Sequence, residues 1–261
     1  MAVSSVSHRT EDIFTYPFSD PKSSKKLLIG ILLMLANLVI PILPLFVVIG
    51  YSMEIRRRLV LKGNLEMPDW GDWGRYFKDG AKAFAIGLLF MLPVVFIALL
   101  GFAIVLLPGI LLDVDVIGQS EASPGNVLIT GILSLAGLIV CGLVILLCLI
   151  LGFVLPAAVT HFAVKGYFSA AFNISEWWPI LRNNISDFVI AYIILIVIGI
   201  FSALISQVLS FTIVLCLLVP ILLCAVSVYT MFLTSGLFAK AYLGGLEKYT
   251  EGKSGLELEA A

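Results

Sequence analysis

The chain has 261 residues, 61% of them hydrophobic and only 13% charged, against roughly 45–50% apolar in an average globular domain. Its formal net charge is −1 and its mean hydropathy is +1.10, which excludes a soluble single domain and gives no reason to expect a nucleic-acid partner. Its apolar runs exceed the roughly 18–20 residues needed to cross a bilayer, so an integral, multi-pass membrane protein is expected.

The first 26 residues are polar and lack an apolar core segment, so no cleavable signal peptide is expected. The first apolar tract, Leu27–Met53, lies between Lys25-Lys26 and Glu54 and contains "VIPILPLF" (Val39–Phe46). Two prolines three residues apart allow two readings: one proline-kinked span, or a helical hairpin whose tip is Pro41–Pro44. The second tract is Ala83–Leu112, the third Val127–Val164 and the fourth Phe188–Ala239, whose natural break is Ser206–Thr212.

The positions of the cations bear on the first tract. Lys and Arg cluster in the N-terminal segment, in segment 54–82, in segment 165–187 and after residue 239; none lies between 113 and 126 or near Gln207. Short loops rich in Lys and Arg stay cytoplasmic. Only the hairpin reading puts all 16 Lys and Arg residues on that side. The arm Leu27–Ile40 is 14 residues, about 21 Å of helix against a hydrocarbon core of about 30 Å. A shallow re-entrant hairpin therefore fits as well as a crossing one.

The expected fold is all-α: a polytopic transmembrane bundle of five to six membrane helices, arranged as three helical hairpins joined by cytoplasmic interfacial linkers. A single membrane domain covers 1–255. It divides into a polar segment 1–26, a first and possibly re-entrant hairpin 27–62, a linker 63–82, a second hairpin 83–164, a linker 165–187 and a third hairpin 188–239; residues 256–261 form a tail. Acidic N-caps at Asp20, Asp79 and Asp187 are expected to open the hairpins. Both termini are expected in the cytoplasm.

The two linkers resemble each other. "MPDWGDWGRYFKDG" and "ISEWWPILRNNISD" share an acid followed by Trp, an Arg five residues after that Trp (Trp70/Arg75, Trp177/Arg182), and a further acid. All four tryptophans, Trp70, Trp73, Trp177 and Trp178, lie in these segments and suit the headgroup region. With Arg56, Arg57, Arg58, Arg75 and Arg182 they are the candidate lipid-headgroup residues, reading "EIRRRLVLKGNL" and "HFAVKGYFSAAFNI" as interfacial helices. The bland alternative is topology-setting loops with aromatic anchors.

Within the tracts no Asp, Glu, Lys or Arg occurs between the tract ends, and His161 is the titratable side chain of note. Proton relays and ion paths need such groups. No nucleotide-binding, metalloprotease or nucleophile-elbow motif occurs. No catalytic, cofactor or metal residues are therefore assigned, and an enzyme is not expected. Asn37 and Gln207 are the candidate polar intramembrane residues; Asn37 is expected to satisfy carbonyls freed by Pro41 and Pro44. Cys141, Cys148, Cys216 and Cys224 read as small packing residues, and Gly131, Ser134, Cys141 and Cys148 as one helix seam. Gly199, Ser202, Ala203, Ser206 and Ser210 form a second.

"YPFSDPKSSKKLLIGILL" (Tyr16–Leu33), "PILPLFVVIGYSMEIRRRL" (Pro41–Leu59) and "MPDWGDWGRYFKDGAKAFAIGLLFMLP" (Met67–Pro93) resemble the prokaryotic membrane family catalogued as domain of unknown function 4013. The closing "AKAYL" (Ala239–Leu243) agrees with it. The resemblance implies a multi-pass protein of the bacterial or archaeal cell membrane and carries no reaction and no catalytic residues.

Two functions remain open on the sequence. One is a non-enzymatic scaffold that organises membrane or binds lipid, with anionic inner-leaflet lipids, a second copy or another membrane protein as partner. The other is a permease or channel for a neutral or apolar solute, favoured by Asn37 and the proline-broken helices.

Overall fold

The computed structural model describes residues 14, 16–18, 21–63, 66–111, 124–211 and 218–259. Among them are seven α-helices and two short 3-10 turns, Tyr16–Phe18 and Phe168–Phe172, and no strand. The helices are α1 (Pro21–Ala36), α2 (Leu43–Lys62), α3 (Trp73–Leu111), α4 (Pro124–Lys165), α5 (Ile174–Asn183), α6 (Ile185–Ser210) and α7 (Val219–Glu259). The expected caps at Asp20 and the loop containing Asp113, Asp115 and Glu121 lie outside the described residues.

Four helices are long and apolar enough to cross a membrane, over Trp73–Leu106, Gly131–Lys165, Ile185–Ser210 and Val219–Lys253. They mark the chain as a multi-pass membrane protein. The count is four where the sequence suggests five to six, because α1 and α2 stand apart. α1 begins with Lys22, Lys25 and Lys26, and α2 carries Glu54 and three arginines in its second half.

The chain divides into two compact units, one of Met1–Ile86 with Pro156–Ala261 and one of Gly87–Leu155. In the first, α7 is the central helix and packs against α1, α2, α5 and α6. Phe232, Phe238, Tyr51, Phe162, Phe188 and Trp177 are buried in its core.

α1 and α2 form the hairpin anticipated at Pro41–Pro44. They pack on each other, and Trp70, beyond the end of α2, donates its indole N–H to the Lys26 carbonyl near the start of α1 at 2.9 Å. Pro21 suits the first helical turn, since it lacks only an N–H that has no partner there. Pro41 cannot continue the α1 ladder and disfavours helix at Ile40. Ile42 takes a left-handed φ of 75°, costly for a β-branched residue. Asn37 braces it: its Oδ1 accepts the Ile42 N–H at 2.7 Å. The amide thus serves the hairpin in the opposite sense to that expected, accepting from a donor rather than donating to freed carbonyls. The tip itself is apolar and exposed, at Leu38, Val39, Ile40, Ile42 and Leu43.

α2 and α3 cross at backbone contact. A methyl group on Gly50 would overlap the Tyr76 carbonyl, and one on Gly80 the Phe46 carbonyl. Without a hydrophobic drive between helices in lipid, such close approach is a principal source of association. α3 begins at Trp73, ten residues before the expected start of the second hairpin, so the linker is correspondingly shorter than 63–82. Asp79 is therefore not a cap. It lies inside α3 with its carboxylate on Arg57. Asp187 is not the cap either: Asn184 holds that position, and Asp187 falls within the first turn of α6, where it accepts a bond from Asn184 Nδ2.

Three further boundaries move. The helices run through Pro93 and Pro156. α6 runs through Ser206 to Ser210, because Ser206 and Ser210 donate to the Ser202 and Ser206 carbonyls and so cost the helix no unpaired hydroxyl. α7 continues through Glu259, into the segment read as a tail.

In the second unit, α3 and α4 pack antiparallel. Gly101 is pressed against Val140, and Gly137 against Val105. The seam is thus the Gly137–Val140 side of α4. Gly131, Ser134, Cys141 and Cys148 are exposed, so the stripe of small residues is not the packed face. Val140 filling the space over Gly101 gives this pair a knob and a hole, which a run of small residues lacks.

Candidate functional site: a charged and aromatic layer

The polar side chains of the first unit collect where α1 starts, α2 ends, α3 starts, α4 ends, α6 starts and the second half of α7 passes. Three groups of contacts build this layer.

The first lies between α2, α3 and α4. Glu54 Oε1 accepts from Arg58 Nε at 3.1 Å, and Glu54 Oε2 from Arg57 Nη1 at 3.0 Å and Arg75 Nη2 at 2.9 Å. Asp79 Oδ2 accepts from both terminal nitrogens of Arg57, at 3.2 and 3.1 Å. Arg57 Nε donates to the Ala163 carbonyl at 2.8 Å, one of the last carbonyls of α4, which have no partner within the helix. Arg56 also reaches α4, nearer its middle. It is 8% exposed, donates through Nη1 to Thr160 Oγ1 at 2.8 Å and to the Pro156 carbonyl at 3.2 Å, and lies over the Phe238 ring. Breaking one partner of such a buried set is costly, on the order of 3–5 kcal/mol, because it strands the other charges.

The second group staples the linker after α2. Gly63 ends the helix in the left-handed region, with φ 63°. Three successive carbonyls of the linker then receive side-chain donors: Met67 from Lys26 Nζ, Pro68 from the Tyr51 hydroxyl and Asp69 from the Tyr76 hydroxyl. Trp70 stacks on Tyr51 with centroids 3.9 Å apart. Lys26, 2.8 Å from Asp69, hydrogen-bonds that carboxyl and holds it below its ordinary range.

The third group joins α4, α5 and α7. His161 Nε2 is 3.1 Å from Glu176 Oε2, and His161 Nδ1 is 2.6 Å from the Tyr242 hydroxyl. A carboxylate only accepts, so Nε2 carries the proton; Nδ1 of the neutral ring then accepts from Tyr242. Lys165 Nζ approaches the same Glu176 oxygen at 3.5 Å, and Asn173 donates to the other. Hydrogen bonding from His161, then the charge of Lys165, lowers the Glu176 carboxyl below its ordinary range. Nearby, buried Asn184 donates to the Ala241 carbonyl at 2.9 Å and accepts from Lys248 Nζ at 2.7 Å.

The sequence-derived candidates separate on this map. Arg56 and Trp177 are buried, with Trp177 donating to the Ala171 carbonyl at 3.0 Å, and Arg57 is nearly so; these three serve the interior rather than the headgroups. Trp70 is half-buried under Tyr51. Trp73, Arg75, Trp178 and Arg182 are exposed, and Arg58 is half-buried. Residues 54–62 are the end of α2, with Ile55 and Leu59 buried, rather than a separate interfacial helix. Phe168 and Phe172 do meet, with centroids 5.5 Å apart. Asn37 belongs to the hairpin tip, and Gln207 is exposed on the last turn of α6. Among the described residues no cluster of His, Cys, Asp or Glu is placed to hold a metal ion.

Sequence reasoning missed Glu54, Asp79, Glu176 and Tyr242 as partners. It also missed that both linkers open alike: Lys62-Gly63 and Lys165-Gly166 each end a helix with a left-handed glycine, φ 63° and 82°. That Lys-Gly repeat was readable. The Glu54 pairs with Arg57 and Arg58, at i,i+3 and i,i+4, were readable as well. The bonds of Asp79 to Arg57, of Glu54 to Arg75 and of His161 to Glu176 and Tyr242 cross from one helix to another, and no spacing rule announces those.

The family described as protein of unknown function (DUF4013) matches residues 32–211. The chain belongs to the DUF4013 family. The match takes in the hairpin tip, α2, both linkers and all of α6, and leaves out most of α1, nearly all of the Tyr16–Leu33 motif and the closing Ala239–Leu243. No curated protein and no solved structure matches the chain.

Proposed function

We propose that this DUF4013 protein is a non-enzymatic membrane-organising protein that gathers anionic lipid around its charged layer, with that layer at the cytoplasmic face. The observation that carries the reading is how the layer divides its residues. Arg56, Arg57 and Trp177 are turned inward and fix the helix ends, while Trp73, Arg75, Trp178 and Arg182 remain exposed on its rim. An amphipathic aromatic ring beside a cation matches the chemistry of an acidic headgroup region. The apolar, exposed tip of the α1–α2 hairpin supports a re-entrant segment, because it has no polar turn to present to water.

The test is lipid retention. Purify the protein from vesicles of mixed phosphatidylcholine and phosphatidylglycerol and quantify the co-purifying lipid by mass spectrometry. Phosphatidylglycerol should exceed its share in the vesicles. A retained profile equal to the vesicle composition contradicts the proposal.

A second reading has one supporting observation. An open groove between α6 and α7 sets Gly199, Ser202, Ser227 and Thr230 among apolar side chains such as Leu195 and Met231, a mostly apolar lining that suits a neutral or apolar solute. Rapid uptake of a neutral solute by the same proteoliposomes, with no lipid preference, would favour the permease.

A further inference from the structure

Glu54 is the pivot of the α2–α3 cluster. Arg58 holds its Oε1, while Arg57 and Arg75 share its Oε2. Asp79 takes Arg57 directly and lies 3.8 Å from Arg75 Nε. Three guanidinium groups thus share two carboxylates, leaving one positive charge in excess. Arg57, 15% exposed, is enclosed by its contacts. Arg58 and Arg75 are different: their side chains are 33% and 44% exposed. Each guanidinium is a rigid fork with five N–H donors. Glu54 engages each of these two through a single nitrogen, which leaves further N–H donors on two partly exposed forks.

We propose that Arg58 and Arg75 form a clamp for the phosphate of an anionic lipid headgroup. The inference rests on the lipid-organising function above and assigns its site. Three features of the pair fit that ligand. Guanidinium forks match phosphate oxygens in a bidentate manner, as a lysine ammonium does not. Glu54 orients both forks in advance, so less rotamer freedom is lost on binding. The excess charge is balanced by an anionic lipid, whereas a zwitterionic headgroup brings its own ammonium to a cationic site. Of the Arg56–Arg58 triplet, only Arg58 takes part.

The experiment uses the full chain in vesicles of phosphatidylcholine and phosphatidylglycerol, with retained lipid read by mass spectrometry. Wild type is compared with Arg58→Gln/Arg75→Gln and with Arg58→Lys/Arg75→Lys, which keeps the charge pairs to Glu54 and hence the fold. The glutamine pair should lower phosphatidylglycerol enrichment roughly twenty-five-fold, since each cation at an anionic surface contributes about fivefold. The lysine pair should fall between glutamine and wild type, because charge remains and the fork is lost. Wild-type retention by both variants overturns the clamp and leaves the lipid function standing. Absence of enrichment in wild type overturns both. Inorganic phosphate added to the wild-type sample separates the two sources of the ligand group: retention unchanged supports the lipid, and displacement of phosphatidylglycerol by phosphate overturns it in favour of a soluble anion.

Discussion

Glu176 and His161 show what single residues contribute to this layer. His161 sits at the end of α4, Glu176 in α5 and Tyr242 in α7, so one imidazole ties three helices together. The Glu176 carboxyl is held below its ordinary range in the folded chain. A group with a depressed folded pKa stabilises the fold fully above its unfolded pKa, and that contribution is lost as pH falls through the folded value. Wild type should therefore melt above Glu176→Gln at neutral pH, with the gap closing as pH falls through and below the glutamate range. A gap independent of pH would show that the carboxylate charge is not what holds α5 in place. His161 was legible as the titratable side chain of its tract, but its partners were not, since they lie 15 and 81 residues away. The arginine triplet misleads for a geometric reason. Consecutive helical residues point about 100° apart, so Arg56, Arg57 and Arg58 cannot share a face. One enters the core, one joins two carboxylates and one reaches the rim.

At the scale of elements, the prolines of the first tract were readable and their consequence follows directly: the ladder stops, and α1 and α2 fold back on each other. The start of α3 was not readable. Asp79-Gly80 has the look of a helix opening, yet Asp79 serves Arg57 and Gly80 serves the crossing with α2. Nothing in local sequence distinguishes a capping Asp from one recruited by a distant arginine. The α2–α3 crossing makes its own prediction. Gly50→Ala puts a methyl group into the Tyr76 carbonyl, and the obstacle is backbone, which cannot rotate aside. Overpacking of this kind costs about 1–3 kcal/mol or more, roughly several degrees of melting temperature for a chain of this size. Gly87→Ala, with open space around it, should melt within a degree or two of wild type or slightly above it, since alanine favours helix. Equal melting of the two variants would mean that α2 and α3 do not approach so closely.

For the whole molecule, the central claim is that the first apolar tract enters the membrane and returns on the same side, leaving both ends and both linkers cytoplasmic. Two independent lines support it. The 16 Lys and Arg residues can share one side only if the tract turns back. Lys26 also meets Met67 and Trp70, so the start of α1 and the chain after α2 lie at the same end of the hairpin. Cysteines introduced singly at Ser5, Val39, Ser120 and Ser254 test this directly, with a membrane-impermeant thiol reagent applied to intact cells. The account predicts labelling at Ser120 alone, with Val39 shielded in hydrocarbon and Ser5 and Ser254 reached only after the membrane is opened. Labelling at Ser5 in intact cells would establish a single kinked span and contradict the account.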